Sequence, residues 1–146
     1  MKNLKLSGLK SFYSTVLLCS LASVSLADIV VIVNPALGVS SISNKDLKRI
    51  YLGKTSSIAD GTEMQLSDQK FDASIREAFY QKCCSSSAQK ARSRWAGILF
   101  SGNGQPPAVV GGDRDVVAWV SARQDGIGYV DSSAVTSSVK VLITLK

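Results

Sequence analysis

An α/β layer fold is what the sequence predicts, and three observations carry that reading. A nearly continuous β-branched run, Asp28-Ile-Val-Val-Ile-Val-Asn34, is closed by Pro35 and has the character of a strand buried on both faces. Segments with helical apolar spacing then alternate with short apolar runs along most of the chain, the pattern of helices layered on a sheet. No internal repeat is present, and 146 residues suit one domain rather than two.

The elements follow in order. Ser43 stands ahead of Asn44, Lys45 and Asp46 as a loose capping signal, and Leu47, Ile50 and Tyr51 then share one helical face. Gly53 is a natural stop for that helix. Lys54 to Thr62 is a loop, and Glu63 to Ser67 a short strand. Asp72 or Ala73 should start the next helix, with Ile75, Ala78, Phe79 and Cys83 on its apolar face. Ser85, Ser86 and Ser87 break that helix and supply a cap for another, whose apolar face is Ala91, Trp95, Ile98 and Leu99. Lys90, Arg92 and Arg94 give this helix a basic side that is either solvated, as most such runs are, or faces an acidic partner. Gly102, Gly104 and Pro106-Pro107 form a turn-rich connection. Asp113 is positioned to cap a further helix with Val116, Val117 and Val120 inward and Trp119 at its flank. Gln124 to Gly126 turn the chain into a short strand, Ile127 to Val130, and Val139 to Leu145 forms a longer one. Tyr51, Trp95 and Trp119 read as core residues.

Composition narrows the function classes. Seventeen Lys plus Arg face eleven Asp plus Glu, and histidine is absent, which removes Ser-His-Asp hydrolysis, Cys-His proteolysis and His-ligated zinc. Three cysteines are too few for a four-cysteine metal site. Asp60, Asp68, Asp72, Tyr51 and Lys54 show no nucleophile–base spacing, so no catalytic residue, metal or cofactor is expected. Residues 1–27 have the order of a secretory signal peptide: basic Lys2, Lys5 and Lys10, an apolar stretch from Phe12 to Val24, and small residues at Ser25 and Ala27. Cleavage after Ala27 into the periplasm leaves a single domain, residues 28–146, with no stable membrane span. The leader takes three basic residues and no acids, so the +6 charge falls to +3, a balance that offers no argument for nucleic acid. Adjacent Cys83 and Cys84 are too close for an ordinary disulfide. Reduced thiols, a redox pair and a disulfide to another chain stay open.

Three segments together resemble the phosphate-binding proteins of bacterial ABC importers, in the type 2 periplasmic binding protein superfamily. Val30-Val-Ile-Val-Asn-Pro35 followed by Leu47-Lys-Arg-Ile-Tyr-Leu-Gly-Lys54 and Asp60-Gly61 is similar to that family's strand, helix and Asp. Ser67-Asp68 with Ser74 to Phe79 lies at the place of its phosphate-gripping turn. Asp125-Gly-Ile-Gly-Tyr-Val130 is similar to its Gly-Ser-Ile-Gly-Tyr-Val. The resemblance spans most of residues 29–135 and implies one lobe of a two-lobed binding protein: a mixed, mostly parallel sheet flanked by helices. It also implies binding of phosphate or a similar small anion linked to transport. The other half of the cleft is then absent or supplied by another molecule, such as an envelope protein or transporter.

By the same resemblance the anion-binding candidates are Ser67, Asp68, Ala73, Ser74, Ile75 and Arg76. The pattern departs from the family in three ways that act against phosphate. Leu66 occupies the Arg position, removing charge-assisted bonds. Asp72-Ala73-Ser74-Ile75 replaces Gly-Ser-Gly-Thr, with Gln69-Lys70-Phe71 inserted ahead of it, so Cβ atoms restrict backbone approach. Asp72, as a helix cap, would place its own carboxylate on the N–H groups an anion needs. The competing reading is a lobe that has lost the grip and serves as a protein–protein interaction module.

Overall fold

The computed structural model describes residues 28–146; the signal peptide expected at 1–27 lies outside them. Five strands, β1 (Ile29–Val33), β2 (Gln65–Gln69), β3 (Ala108–Gly111), β4 (Gly126–Asp131) and β5 (Lys140–Leu145), form one sheet in the order β3-β2-β4-β1-β5. Four helices flank it: α1 (Asn44–Tyr51), α2 (Ser74–Cys84), α3 (Ala88–Phe100) and α4 (Asp113–Ser121). The α/β class stands. The sheet is mixed: β2 runs parallel to β3 and β4, whereas β1 runs antiparallel to β4 and β5. Parallel pairings are thus half of the total, fewer than the mostly parallel sheet expected.

The first strand explains the layering. All five of its residues are buried. Ile29, Val31 and Val33 enter the core under α1, α2 and α3, while Val30 and Ile32 enter the core under α4. A strand whose alternate side chains are both covered must be apolar throughout, as this one is.

The helix ends follow local chemistry. Ser43 Oγ accepts the Asp46 N–H at 3.0 Å, and Ser87 Oγ accepts that of Lys90 at 3.1 Å. Gly53 sits beyond α1 at φ +66°, where a Cβ would lie 2.5 Å from Ile98 Cδ1, so both conformation and space demand glycine.

Several expectations are corrected. The second strand lies two residues later than expected, so Ser67, Asp68 and Gln69 are strand residues pointing into the protein. Asp72 does not cap α2: a turn closed by Ala73 N–H to Lys70 O at 3.0 Å puts Ala73 at the cap, and Asp72 is exposed one residue earlier. Asp113 does not cap α4 either. Gly112 holds that position and donates its N–H to Asp115 Oδ2 at 2.9 Å. The connection after α3 also contains a strand, β3, that the Gly/Pro-rich sequence conceals. Trp95 is core, its indole N–H donating to Tyr51 O at 2.8 Å, but Leu99 is largely outside it.

Candidate functional site

Strands β2, β3 and β4 point their carboxyl ends the same way, and ligands of open α/β sheets bind outside such ends. Helix α2 leaves β2 onto one face of the sheet, and α4 leaves the neighbouring β3 onto the other. Two helix N-termini therefore flank this crevice, and they are chemically unlike.

The α4 end is occupied by its own carboxylates. Asp115 accepts the cap N–H. Asp113 Oδ1 accepts Gln69 Nε2 at 2.6 Å and the Asp131 N–H at 3.4 Å. Asp131 in turn accepts the Ser133 N–H and hydroxyl at 2.8 and 2.6 Å, which hold its carboxyl below the usual range. Negative charge already fills this side.

The α2 end is open. No side chain caps it; its first turn carries Glu77, whose carboxylate is turned back to the Ala88 N–H and the Gln81 side chain, and Arg76 at the third position. A cation there adds to the positive end of the helix dipole instead of cancelling it. Ala73 has the extended backbone of a cap residue, φ −71° and ψ 125°, and Ser74, the first helical residue, is exposed. Lys70 is exposed on the preceding turn.

Below this end lies a buried polar network centred on Asp68. One carboxylate oxygen accepts Arg76 Nε at 3.0 Å and Tyr80 OH at 2.9 Å. The other accepts the Gln69 N–H at 2.8 Å and the Tyr129 hydroxyl. Burial, reinforced by the Asp68 charge, pushes the Tyr80 and Tyr129 hydroxyls well up, so both remain donors. Every carboxylate contact thus comes from a donor, the condition under which a buried charge is tolerable. Tyr129 also stacks on Phe79 at 3.7 Å between ring centres, and Tyr51 meets Phe79 edge-on at 4.8 Å.

The six candidate residues therefore separate. Ala73, Ser74 and Ile75 sit together at the α2 N-terminus. Ser67 is fully buried, its hydroxyl donating to Ile127 O at 2.9 Å and its carbonyl accepting Tyr51 OH at 3.0 Å. Asp68 is enclosed by its donors. Arg76 joins the two levels: Nε belongs to Asp68, while the guanidinium lines a groove of about 200 Å³ beside Phe71 and Arg92. Sequence reasoning missed the Tyr80, Gln69 and Tyr129 partners of this network. The one available signal was the Tyr of the Gly-Ile-Gly-Tyr-Val segment. A larger cleft of about 480 Å³ lies at the opposite, amino ends of β2 and β3, where Gln65, Gln105 and Trp119 contribute to its wall. Among the described residues no group of three or more His, Cys, Asp or Glu is arranged to hold a metal ion.

Comparison with known proteins finds no matching family model and no matching curated protein. Solved structures do match. An ABC-type phosphate transport receptor from Vibrio cholerae superposes with a TM-score of 0.62 at 16% identity, over 80% of this chain and 45% of its own. A protein described as a phosphate ABC transporter substrate-binding protein, with bound phosphate, from Clostridium perfringens gives 0.64 at 18% identity, over 80% and 44%. PstS from Borrelia burgdorferi gives 0.60 at 12% identity, over 80% and 46%. The chain spans less than half the length of each. At these identities the likeness is one of fold, and residues 28–146 have the fold of a lobe like those of phosphate ABC transporter substrate-binding proteins.

Proposed function

We propose that this protein is an exported, periplasmic substrate-binding-protein-like lobe. Its α2 N-terminus binds phosphate or another small oxyanion in connection with ABC-type transport. The observation that carries the reading is the contrast between the two helix ends at the crevice: α4 is neutralised by Asp113 and Asp115, whereas α2 is uncapped, with its first-turn Glu77 turned back to Ala88 and Gln81 and Arg76 in the same turn paired from below with Asp68. Free N–H groups and the helix dipole make such an end a binding place for anions. The Clostridium perfringens relative, which holds phosphate, supports the choice of anion.

In this reading the N–H groups of Ser74 and Ile75 and the Ser74 hydroxyl contact the anion, with Ala73 shaping the entry. Arg76 supplies counter-charge, and Ser67 and Asp68 hold the strand and the guanidinium in place. The test is a titration of the purified ¹⁵N-labelled protein with phosphate, sulfate and acetate. Shifts are expected first at Ser74 and Ile75. A flat response up to millimolar phosphate rejects solo binding, and shifts confined to α4 reject the placement. Amino-terminal sequencing of protein from the periplasmic fraction tests the export reading, Asp28 being the expected first residue.

The interaction-module reading keeps a specific support of its own: Phe71, Leu99 and Val109 are exposed around one groove beside β3.

A further inference from the structure

Strand β3 is the last in the sheet, so one of its backbone edges has no neighbouring strand. Shortness, charge, proline and bulges usually blunt exposed edges; β3 is four residues long, follows Pro106-Pro107 and shifts register against β2, but Ala108-Val109-Val110-Gly111 carries no charge. Val109 at its centre is 45% exposed. Beside it runs the groove of about 200 Å³. From α3, Arg92, Ala96 and Leu99 line that groove. They fall at i, i+4 and i+7 and so form one helical stripe. None of the three is buried, and Leu99 is 43% exposed. Phe71, 54% exposed, completes the rim. An amphipathic helix normally buries such a stripe; here the stripe stands over the space beside the edge strand.

Charge selects among occupants. The Arg92 guanidinium lies 4.3 Å from the Phe71 ring centre and that of Arg76 lies 5.1 Å from it, so two cations bracket one phenyl group. Arg76 is paired with Asp68, the one ion pair among the described residues, and Arg92 has no carboxylate partner there. An apolar slot with an uncompensated guanidinium at its mouth suits an apolar side chain next to a carboxylate.

We infer that the β3 edge and the Phe71–Arg92–Leu99 groove form a docking site for an extended acidic segment of another protein. The segment adds as a sixth strand beside β3, with main-chain hydrogen bonds supplying affinity. One apolar residue enters the groove against Val109 and Leu99, and an adjacent Asp or Glu meets Arg92. Strand addition places alternate side chains on the groove side, so the recognised pattern is apolar and acidic residues within a short extended stretch. The surface meets the anion end of α2 only at Arg76: Ala73, Ser74 and Ile75 do not line the groove.

The test is selection of a phage-displayed library of short random peptides on the purified protein. The enriched peptide is then synthesised and titrated by fluorescence anisotropy. Enriched sequences are expected to combine Val, Ile or Phe with Asp or Glu. Val109→Lys should weaken the synthesised peptide about tenfold or more. Arg92→Glu should weaken it similarly and improve binding of the same peptide with Lys in place of its acids. Ala73→Asp, which blocks the α2 end, should leave peptide affinity unchanged, so failure of the anion reading and failure of this one are distinguishable. No enrichment, enrichment without acidic residues, or peptide affinity indifferent to Val109→Lys overturns the proposal. Sedimentation equilibrium covers the remaining occupant: a dimer abolished by Val109→Lys assigns the edge to a second copy of the chain and likewise overturns it.

Discussion

Replacing Ala73 with Asp should make this protein more stable and deaf to phosphate at once. Ala73 already has the extended backbone of a cap residue and is only partly buried, so an Asp side chain can reach the N–H groups of the first turn without rearrangement. Ala-to-Asp at such a position gains about 0.5–2 kcal/mol. On a domain of this size that is a rise of roughly 3–5 °C in Tm per kcal/mol. The same carboxylate then occupies the donors that an anion needs. In the unaltered protein, phosphate at a hundred times its Kd should add ~2.7 kcal/mol. Thermal melts with and without phosphate, at ionic strength matched with chloride, separate the two effects. Ala73→Asp should melt higher than the parent in chloride and show no phosphate increment. Ala73→Asn, a cap without charge, should share the stabilisation and keep part of the increment. A full phosphate increment in Ala73→Asp would place the anion elsewhere. A lower Tm in chloride would show that the first-turn donors already have partners.

Other consequences of the buried network can be measured. Asp68→Asn removes the charge facing Arg76 and should cost about 3–5 kcal/mol in urea unfolding, with part regained in Asp68→Asn/Arg76→Met; an unchanged midpoint would mean that Arg76 has no need of the carboxylate. Tyr51, Tyr80 and Tyr129, the three tyrosines among the described residues, are all held well above their ordinary value, chiefly by burial. Their contribution to stability is therefore complete below pH ~10 and is lost as pH rises above it, by about 1.4 kcal/mol per pH unit for each. Tyrosinate absorbance of these three should stay flat and then appear together with alkaline unfolding; early stepwise ionisation would contradict their burial. Gly128→Ala places a Cβ 2.5 Å from Ser67 Oγ and 2.6 Å from Val116 Cγ1, and should destabilise by about 1–3 kcal/mol. A neutral result by calorimetry would show that β4 and α4 can move apart.

Much of the architecture was legible because its causes are local. Asp28 to Asn34 could only be a strand covered on both faces, and Ser43 and Ser87 announce helix starts through their own hydroxyls. The apolar spacing of Leu47, Ile50 and Tyr51 names the face that α1 buries. The misreadings have local causes too, of a kind that pattern cannot settle. Asp72 and Asp113 are both good caps by type, yet a one-residue difference in the turn before each helix decides whether the carboxylate reaches the N–H groups. Strand β3 owes its existence to pairing with β2, and its four residues carry no periodicity long enough to read. Cys83 and Cys84 read as adjacent thiols that geometry keeps from an ordinary disulfide; in the fold they are free, buried and 3.2 Å apart.

The candidate site was legible only in outline. The resemblance located the segment from Ser67 to Arg76, and the fold brings its α2 end to the crevice where α/β sheets bind ligands. Which of those residues face solvent was not legible. Ser67 and Asp68 look like ligand groups in a row of letters, but they lie on a strand whose polar side chains are satisfied from within.

By itself the sequence determined the α/β class, the order of most elements, the absence of histidine chemistry and the resemblance to one lobe of a binding protein. The class, the element order and the missing histidine chemistry follow from composition and from periodicities of two and 3.6 residues, which act over a few neighbours; the resemblance rests on three short motifs in order. Tertiary structure alone decided that Asp68 is held by Arg76, Tyr80 and Tyr129, that α2 is uncapped while α4 is neutralised, and that β3 is left as an open edge beside Arg92. The first depends on contacts between residues 8 to 61 positions apart, the second on the turn ahead of each helix and on Asp113 meeting Gln69, and the third on which strand lies outermost. Side-chain hydrogen bonds and edge exposure are properties of neighbours in space, and the chain acquires those neighbours only on folding.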